Sequence, residues 1–557
     1  MPRLFTLLTL ALVGTPAVAS PRDELLRAAP QDAALVVLVQ NARDHSKQVA
    51  ESPFAAWFPN TAAGKLLSAP ADLKSFGGEV FSALDVTPDE FLADVVGDAF
   101  AFAFTPGPNG DEKGEKAVIL VRPRKPETLA RVIEKLNAHQ TKSGEIKGVA
   151  KRTHANRAYH ERQKGGGPAE FYCFRDGVFA FSTSEADIKS VLERDLASPC
   201  DLSKKVTKLG VADAVLVVLI NPRPLDAELK AKVTAADADD RIFLERFSEV
   251  WHALDSAALY VKVSAGIETG VSVQFKPGEL SPRSKGWLTG SRNGGAFWAH
   301  VPADAMLAVG GRFQATELID GIKSLLPDAA KVSLQSSIDD ILGPVFGKDK
   351  LPAVMGALGP DWGVFVGPPS GGFFPTVVAG VNVEAIGTKP ETAQALLQAV
   401  DFGFMSARIA YNASHPNQLG IRDTRDGDVV IKSLVNDKVF PPGVQPSFGM
   451  KGGYLLIAST PDAIKNFAPR PGAGAAAEAT VARFSGTATR AYFQANREKL
   501  AKYLSDAGAG NEQELLAQFD QIARVLEPLD RVEIVTRGDD TGMKVALRVT
   551  LAKALKK

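Results

Sequence analysis

The histidines and the carboxylates near them have the clearest potential for chemistry. The closest pair of histidines is His154 and His160, and Glu161 follows directly. An imidazole beside a carboxylate can bind a metal ion or act as a general base. The two histidines flank a predicted turn at 155–157, however, and a zinc site normally takes three or four converging ligands. We therefore interpret His154, His160 and Glu161 as exposed residues of a hairpin.

Three further segments resemble known binding motifs without completing them. The acidic stretch 237–240 lacks the glycine and the final glutamate of a calcium loop, so it is predicted to cap a helix over 241–254. The Lys-Gly-Gly-Gly run at 164–167 has no following helix whose N–H groups could hold an anion, which favours a hairpin loop. The Arg-Gly-Asp tripeptide at 537–539 lies between two predicted strands and is interpreted as a turn.

The local signatures of common enzyme classes are absent from the sequence. There is no His-Glu-x-x-His or His-x-x-Glu-His zinc motif, no Gly-x-Ser-x-Gly elbow and no Gly-x-x-x-x-Gly-Lys loop. We therefore assign no catalytic, cofactor-binding or metal-binding residue and expect no cofactor. The remaining enzyme hypothesis is a hydrolase whose site is assembled from distant residues such as Asp98, His160 and Glu161.

The chain has two cysteines, Cys173 and Cys200. In an exported protein they could form a disulfide, which would stabilise the fold by about 3 kcal/mol through the entropy of the closed loop. The alternative is two separate thiols, with Cys173 packed among the aromatic residues of a strand. The sequence leaves both alternatives open.

The first residues have the pattern of a secretory signal peptide. Arg3 precedes a mainly apolar run over 4–13, and Ala-Val-Ala at 17–19 fits a signal-peptidase site. A run of this length is far shorter than the roughly 20 residues that span a bilayer. We predict a signal peptide over 1–19, an exported periplasmic or extracellular protein, and no transmembrane segment in the mature chain.

Overall charge argues against two classes of partner. Lys plus Arg and Asp plus Glu both total 64. Such a balanced chain has no net field to attract nucleic acid or an anionic membrane surface. The expected partner is an envelope ligand or protein whose nature is unknown.

Repeated sequence patterns indicate a tandem duplication. Matching positions in the two copies lie about 270 residues apart. Lys-Pro-Glu-Thr at 125–128 recurs at 389–392, and each copy opens an amphipathic helix with proline at its first position. Two further segments of the first half match the second half: 30–33 matches 302–305, and 176–181 matches 452–457. In addition, a helical pattern is followed by Thr-Gly in both halves, at 269–270 and at 541–542.

The predicted fold is α+β. Short strands joined by turn signals such as Asp176-Gly177 favour antiparallel pairing, and helices separate several of the strands. We expect each half to be an antiparallel or mixed sheet with packed helices, divided into two lobes. The predicted domains are 20–280 and 297–557, joined by a linker over 281–296 that is rich in turn residues.

An aromatic stripe of Phe54, Trp57 and Phe58 has helical spacing. Such a stripe is usually part of a core, and the alternative is the lining of a groove for an apolar ligand or a partner helix.

The chain resembles an exported bacterial family that is defined only as a domain of unknown function. The resemblance rests on 30–33 before an apolar strand, on Val96-Gly97-Asp98-Ala99, and on the strand and helix that begin at Asp176. Gly359-Pro360-Asp361-Trp362 and Gly452-Gly453 depart from the pattern. The resemblance implies export and carries over no activity, cofactor or site residue.

The leading functional hypothesis is a non-enzymatic protein of the cell envelope that binds a ligand or a partner, with two related halves framing a cleft. The alternatives are the hydrolase described above and a structural envelope component. An apolar groove would favour ligand binding, a broad apolar patch would favour assembly, and converging polar groups would favour catalysis.

Overall fold

In a computed structural model, the chain forms two compact units. The structure describes residues 20–51, 55, 81–82, 84–108, 111, 114–196, 198, 200–264, 266–276, 278–280, 285–286, 288, 294–312, 315–324, 326, 328–346, 349, 351–383, 390–470 and 478–552. Unit 1 holds those of 20–51, 81–231 and 256–263, and unit 2 holds 55 and those of 232–255 and 264–552.

Some predictions fall on residues outside these ranges. They are the signal peptide, the aromatic stripe of Phe54, Trp57 and Phe58, and most of the linker over 281–296. The last boundary between the units, at 263/264, lies ahead of that linker, and unit 2 also includes 232–255 from earlier in the chain.

Unit 1 contains an antiparallel sheet in the order β4-β5-β6-β7-β3-β2-β1-β8-β9. Its strands are β1 (Leu35–Gln40), β2 (Ala99–Thr105), β3 (Lys116–Arg122), β4 (Ile146–His154), β5 (Arg157–Lys164), β6 (Glu170–Arg175), β7 (Val178–Ser182), β8 (Leu216–Ile220) and β9 (Leu254–Val263).

The helices that begin in unit 1 are α1 (Pro21–Ala28), α2 (Ala42–Ala50), α3 (Pro126–Ser143), α4 (Glu185–Glu193), α5 (Asp201–Lys208) and α6 (Asp226–Ala235). Short helical segments occur at Pro88–Glu90, Phe91–Val95 and Arg223–Leu225. Helix α1 packs over β1 to β3 and against α5, α4 packs on β6 and β7, and α3 packs on β4. Leu25 and Leu26 of α1 are fully buried, so this helix closes one face of the sheet.

The strands of unit 2 are also antiparallel and pair in the order β14-β15-β16-β17-β13-β12-β11-β18-β19-β20-β10. Its strands are β10 (Gly266–Phe275), β11 (Leu307–Arg312), β12 (Leu358–Gly367), β13 (Thr376–Val383), β14 (Gly420–Asp426), β15 (Val429–Val435), β16 (Ser447–Lys451), β17 (Tyr454–Ala458), β18 (Ala479–Ser485), β19 (Leu529–Gly538) and β20 (Gly542–Leu551).

Unit 2 has helices α7 (Ala238–Ala253), α8 (Ala315–Ser324), α9 (Asp328–Phe346), α10 (Leu351–Ala357), α11 (Pro390–Ser414), α12 (Pro461–Lys465), α13 (Gly486–Asp506) and α14 (Glu512–Val525), and a 3₁₀ helix at Ala296–His300. One core is centred on Phe297, which packs with Phe365, Tyr454 and Phe467. A Cβ on Gly363 would lie 2.1 Å from the Phe297 ring, so glycine is needed at 363 to make room for the ring.

The chain is therefore α+β, as predicted. Apolar runs in the sequence at 34–39, 99–104, 117–121, 178–181, 215–220 and 271–275 predict strands, and each run overlaps an observed strand. Asp176 and Gly177 have φ angles of 49° and 81° and form the turn between β6 and β7, as their types predict.

One sequence match between the halves differs in its structural setting. Thr269 and Gly270 lie inside β10, whereas Thr541 lies in the turn before β20 and Gly542 is the first residue of that strand. Equal spacing from the preceding helix is therefore not equal position in the hairpin. Residues 526–528 separate α14 from β19, whereas α7 runs directly into β9, and the turn after β19 is one residue longer than the turn after β9.

Candidate functional site

The most distinctive surface of unit 1 is one face of its sheet, where three rows of apolar side chains cross four adjacent strands. Register places directly opposite residues on the same face. The rows, read across β2, β1, β8 and β9, are Phe104, Leu35, Ile220 and Ala257; Phe102, Val37, Val218 and Leu259; and Phe100, Val39, Leu216 and Val261. We call these twelve residues the apolar face.

The apolar face is only partly covered. Leu259 in its middle row is 48% exposed, and every other member except Ala257 is half-buried. The alternate residues of the same strands, among them Val36, Leu38 and Val217, are almost completely buried. The sheet is thus apolar on both sides, and over β1, β8 and β9 only the side opposite the apolar face is almost completely buried.

The dimensions of the apolar face follow from strand geometry. Neighbouring strands lie about 4.8 Å apart, so four strands span about 14 Å between the outer backbones. Three rows two residues apart extend about 13 Å along the strands. Toward β3 and β7 the middle row continues through Ile119 and Phe181. These two residues and Phe100 of the apolar face pack against a core that includes Val95 and Leu129 of α3.

Unit 2 has a similar apolar surface on its own sheet. Leu307, Phe484, Val532, Val549 and Ile267 are directly opposed across β11, β18, β19, β20 and β10. The neighbouring row includes Ile534 and Leu547, which are 39% and 38% exposed. No residue type in either row carries a charge.

The structure does not bring the residues of the hydrolase hypothesis together. His160 and Glu161 are consecutive in β5 and so point to opposite faces of the sheet. Asp98 directly precedes β2, and four strand spacings, about 19 Å, separate β2 from β5.

The polar side chains of the β4–β5 hairpin each contact a different neighbour. His160 stacks on Tyr172 with ring centroids 4.7 Å apart, and burial, with a contribution from Lys151, lowers its pKa. Glu161 forms an ion pair with Arg152, with an N–O distance of 2.9 Å. His154 contacts Glu193 at 2.5 Å on the exposed surface. These are pairwise contacts of a hairpin and not a convergent site.

The other candidate motifs have structural roles. The Asp237 side chain accepts a hydrogen bond from the backbone N–H of Asp240 at 2.9 Å and caps α7, as predicted. Residues 165–167 form the loop between β5 and β6. Gly538 ends β19, and Asp539 lies in the turn before β20.

Both cysteines are free thiols. Cys173 in β6 is fully buried, and burial raises the pKa of its thiol to about 12. Cys200 is the N-cap of α5, where its Sγ accepts a hydrogen bond from the Ser203 N–H at 3.4 Å. The structure thus corresponds to the alternative of two separate thiols.

Two features are absent from the described ranges: a membrane-spanning helix and a cluster of metal ligands. None of those helices combines the length and apolarity needed to cross a bilayer. Among the same residues, no three or more His, Cys, Asp or Glu side chains are grouped so that they could hold a metal ion.

Comparison with known proteins gives no family assignment. No protein-family model matches the chain, and no curated protein or solved structure matches it either.

The sequence predicts three of the four strands of the apolar face, β1, β2 and β8, but not β9 and not the face itself. The signal was present in β2, where Phe100, Phe102 and Phe104 alternate with alanines. Large and small apolar residues in alternation indicate two unequal faces, but strand order was needed to place the phenylalanines beside β1 and β8.

Proposed function

We propose that this chain is a non-enzymatic exported protein that binds an apolar, chain-like ligand on the apolar face. The observation that carries the proposal is the set of three apolar rows, with Leu259 about half exposed at the β9 end of the middle row. Contiguous exposed apolar surface on a water-soluble fold is a common mark of a binding site.

The size and composition of the surface favour a long aliphatic ligand. Burial of one CH₂ group contributes about 0.8 kcal/mol, so about twelve methylenes would contribute roughly 10 kcal/mol. Association costs about 4 kcal/mol or more because the ligand loses translational and rotational freedom. The burial free energy of a long chain exceeds this cost, whereas that of a short chain does not. A lipid acyl chain has this chemistry.

We also propose that 20–280 and 297–557 are two copies of one repeat. The strand orders support this: β4-β5-β6-β7-β3-β2-β1-β8-β9 in unit 1 matches β14-β15-β16-β17-β13-β12-β11-β18-β19 in unit 2, each number raised by ten. Helices α3 and α11 follow β3 and β13 in the same way. The same order of nine strands is a much stronger match than turn residues alone.

Export of the chain and its kinship with an exported bacterial family belong to the same proposal. The support is the signal-peptide pattern over 1–19 and the sequence resemblance. An envelope compartment also supplies the class of ligand proposed, because it contains lipids in transit between membranes.

The proposal is tested by titrating the mature chain with a fluorescent long-chain fatty acid. Leu259→Lys places a charge in the middle row and is expected to weaken binding by about tenfold or more, since an unpaired charge against an apolar chain is costly. The control is Val149→Lys on β4, five strands from β2, where the side chain is likewise exposed, at 38%. It should bind like the unmodified chain. Equal affinity and equal stoichiometry of all three proteins would refute the proposed site.

A further inference from the structure

The outward surface of helix α11 in unit 2 carries no charged side chain. Every residue over 394–415 is described by the structure, and none of the exposed ones is Asp, Glu, Lys or Arg. Three large apolar side chains stand out from this surface: Phe402 is 58% exposed, Met405 37% and Ile409 67%. A helix on the surface of a soluble protein normally turns charged and polar side chains toward water, so this surface has the character of an interface.

The one Asp and the one Arg of this stretch bond to unit 2 itself. Asp401 forms an ion pair with Lys432 of β15, with an N–O distance of 2.7 Å. The Nε of Arg408 donates a hydrogen bond to the Leu419 carbonyl at 3.1 Å. Both side chains are half-buried. The charges of the helix are therefore used inside unit 2, and the outward surface is left apolar.

The opposite side of α11 holds the helix in place. Leu396 is 3% exposed and packs with Val354 of α10 and Leu455 of β17. The ring of Phe404 contacts the ring of Phe448 in β16, with centroids 4.6 Å apart. The exposed apolar side chains are thus not needed to attach the helix to its sheet.

The matching helix of unit 1 lacks the apolar surface. Counted from the shared Lys-Pro-Glu-Thr, Ala138 and Thr141 of α3 occupy the places of Phe402 and Met405. Many of the exposed residues of α3 are charged, among them Arg131, Glu134 and Lys135. Helix α11 is also longer, with 25 residues against 18. Packing a helix at this place in the fold therefore does not require exposed apolar residues.

The spacing of the exposed residues makes the surface complementary to itself. Three- and four-residue steps place six residues on one side of the helix, and we call them the α11 stripe: Phe402, Gly403, Ser406, Ile409, Ala410 and Ala413. In an antiparallel helix pair with a two-fold axis between positions 407 and 408, position 402 of one helix faces 413 of the other, and 406 faces 409.

Each facing pair then joins a large side chain to a small one. Phe402 meets Ala413, and Ile409 meets Ser406, which is the alternation that lets side chains interdigitate. Gly403 and Ala410 lie beside these pairs, and residues without bulky side chains let two helices approach closely. The two-fold symmetry repeats every contact, and no like charges are brought together.

We propose that a second copy of this chain packs on the α11 stripe and forms an antiparallel, two-fold symmetric dimer. The stripe spans 11 residue steps, about 17 Å along the helix. Three turns of one helix bury less surface than a standard interface, so the dimer is expected to be weak, with a Kd on the order of 10–100 µM.

A membrane surface suits the α11 stripe less well than a helix does. Helices that lie on membranes carry Lys or Arg on the polar face beside the apolar one. The exposed residues of α11 include no Lys or Arg over 394–415, and Gly403, Ala410 and Ala413 offer little apolar area to lipid.

The dimer does not rest on the proposed ligand. The α11 stripe belongs to a helix of unit 2, whereas the apolar face belongs to the sheet of unit 1. Leu259→Lys, which is expected to weaken binding of a fatty acid, should leave self-association unchanged. The two proposals therefore fail separately.

Sedimentation velocity of the mature chain, from about 2 to about 200 µM, measures self-association. The sedimentation coefficient should rise with concentration from the monomer toward the dimer. Ile409→Asp should raise the dissociation constant at least tenfold, because a carboxylate would be buried against an uncharged helix. Since Ile409 is mostly exposed in the single chain, this variant should keep its unfolding midpoint. Ala138→Asp makes the same charge change at an exposed position of α3 and should associate like the unmodified chain.

A mixture of two variants tests the register. Ser406→Lys and Ile409→Asp should each associate weakly alone. Mixed in equal amounts they should form a heterodimer, because lysine at 406 of one chain faces aspartate at 409 of the other. The proposal is overturned if the unmodified chain stays monomeric over the whole range, including the case in which it instead sediments with phosphatidylcholine vesicles. It is also overturned if Ile409→Asp associates as strongly as the unmodified chain, or if the mixture associates no better than either variant alone.

Discussion

At the scale of single residues, the most connected charged side chain in unit 2 is Arg548 of β20. Its Nε lies 2.7 Å from Glu268 of β10, and its guanidinium also pairs with Glu478. Lys544 contacts Glu268 at 2.9 Å. Two carboxylates thus share two cations on one face of the sheet, which ties β10 and β20 together beyond their backbone hydrogen bonds.

Replacing Arg548 by methionine should destabilise unit 2 by about 1–2 kcal/mol at pH 7, because partly buried carboxylates lose a charged partner. The hydrogen bond from Arg548 is the largest cause of the lowered pKa of Glu478. A carboxyl whose pKa is lowered by folding stabilises the folded state at pH values above the pKa that it has in the unfolded chain. This stabilisation is lost as the pH falls through the pKa of the folded state. The difference in thermal midpoint between the two proteins should therefore shrink below about pH 4.5.

Calorimetry at pH 7 and pH 3 measures this difference. A gap that stays constant between the two pH values would contradict the assigned role of the carboxylates. Arg537→Met, also on this hairpin at the end of β19, is the control and should have little effect at either pH.

A helix cap offers a second test at this scale. Asp237→Ala removes the side-chain acceptor for the Asp240 N–H and should cost about 1 kcal/mol, whereas Asp237→Asn keeps an acceptor and should cost much less. Denaturant unfolding that follows helical circular dichroism measures both. If the two variants behave alike, the cap does not stabilise α7.

The sequence predicts some of the interactions of single residues. The Asp237 cap and the Asp176-Gly177 turn depend on neighbours along the chain, so local rules predicted them. The Arg548 network joins residues far apart in sequence, and no local pattern marks it.

At the scale of elements, β9 shows how one strand serves two surfaces. Leu259 is 48% exposed on the apolar face, while its neighbour Tyr260 is 1% exposed on the opposite side. Successive side chains of a strand point to opposite faces, so the two residues face different surroundings although they are adjacent in sequence.

Alanine substitutions should separate these two roles. Tyr260→Ala leaves a large cavity in a closed core and should lower the free energy of unfolding by about 3–5 kcal/mol. Leu259→Ala removes a half-exposed side chain and should cost about 1 kcal/mol or less, with weaker binding of the apolar probe as its main effect. Chemical denaturation and probe titration on the same samples measure both. A large loss of stability from Leu259→Ala would mean that this face is core.

Elements were the most predictable level of the fold. Apolar strands between turn residues, and the amphipathic helices after 125 and 389, stand out in the sequence because their periods are local. Strand order was not predicted. It depends on pairing between distant segments, such as β1 with β8, that no spacing in the chain specifies.

At the scale of the whole molecule, the proposed duplication gives each repeat its own apolar surface. Leu259 in β9 and Ile534 in β19 hold equivalent places, since each is the sixth residue of its strand, and both are exposed. We therefore expect two ligands per chain. Leu259→Lys and Ile534→Lys should each reduce the stoichiometry to one, and the double variant should abolish binding.

Stoichiometry from native mass spectrometry or calorimetric titration checks this expectation. If the unmodified chain binds one ligand and either single substitution abolishes that binding, the two surfaces do not bind independently. The sequence suggested two related halves but could not reveal that each has a half-covered apolar sheet, because that feature emerges from nine strands paired in one order.

The central claim is that the protein binds an apolar chain-like molecule, and the most direct test is its native mass spectrum after gentle purification from its own cells. We predict an adduct with the mass of a lipid or fatty acid, present in the unmodified chain and in Val149→Lys and diminished in Leu259→Lys. A bare chain in all three proteins, with no binding of added fatty acid, would contradict the claim.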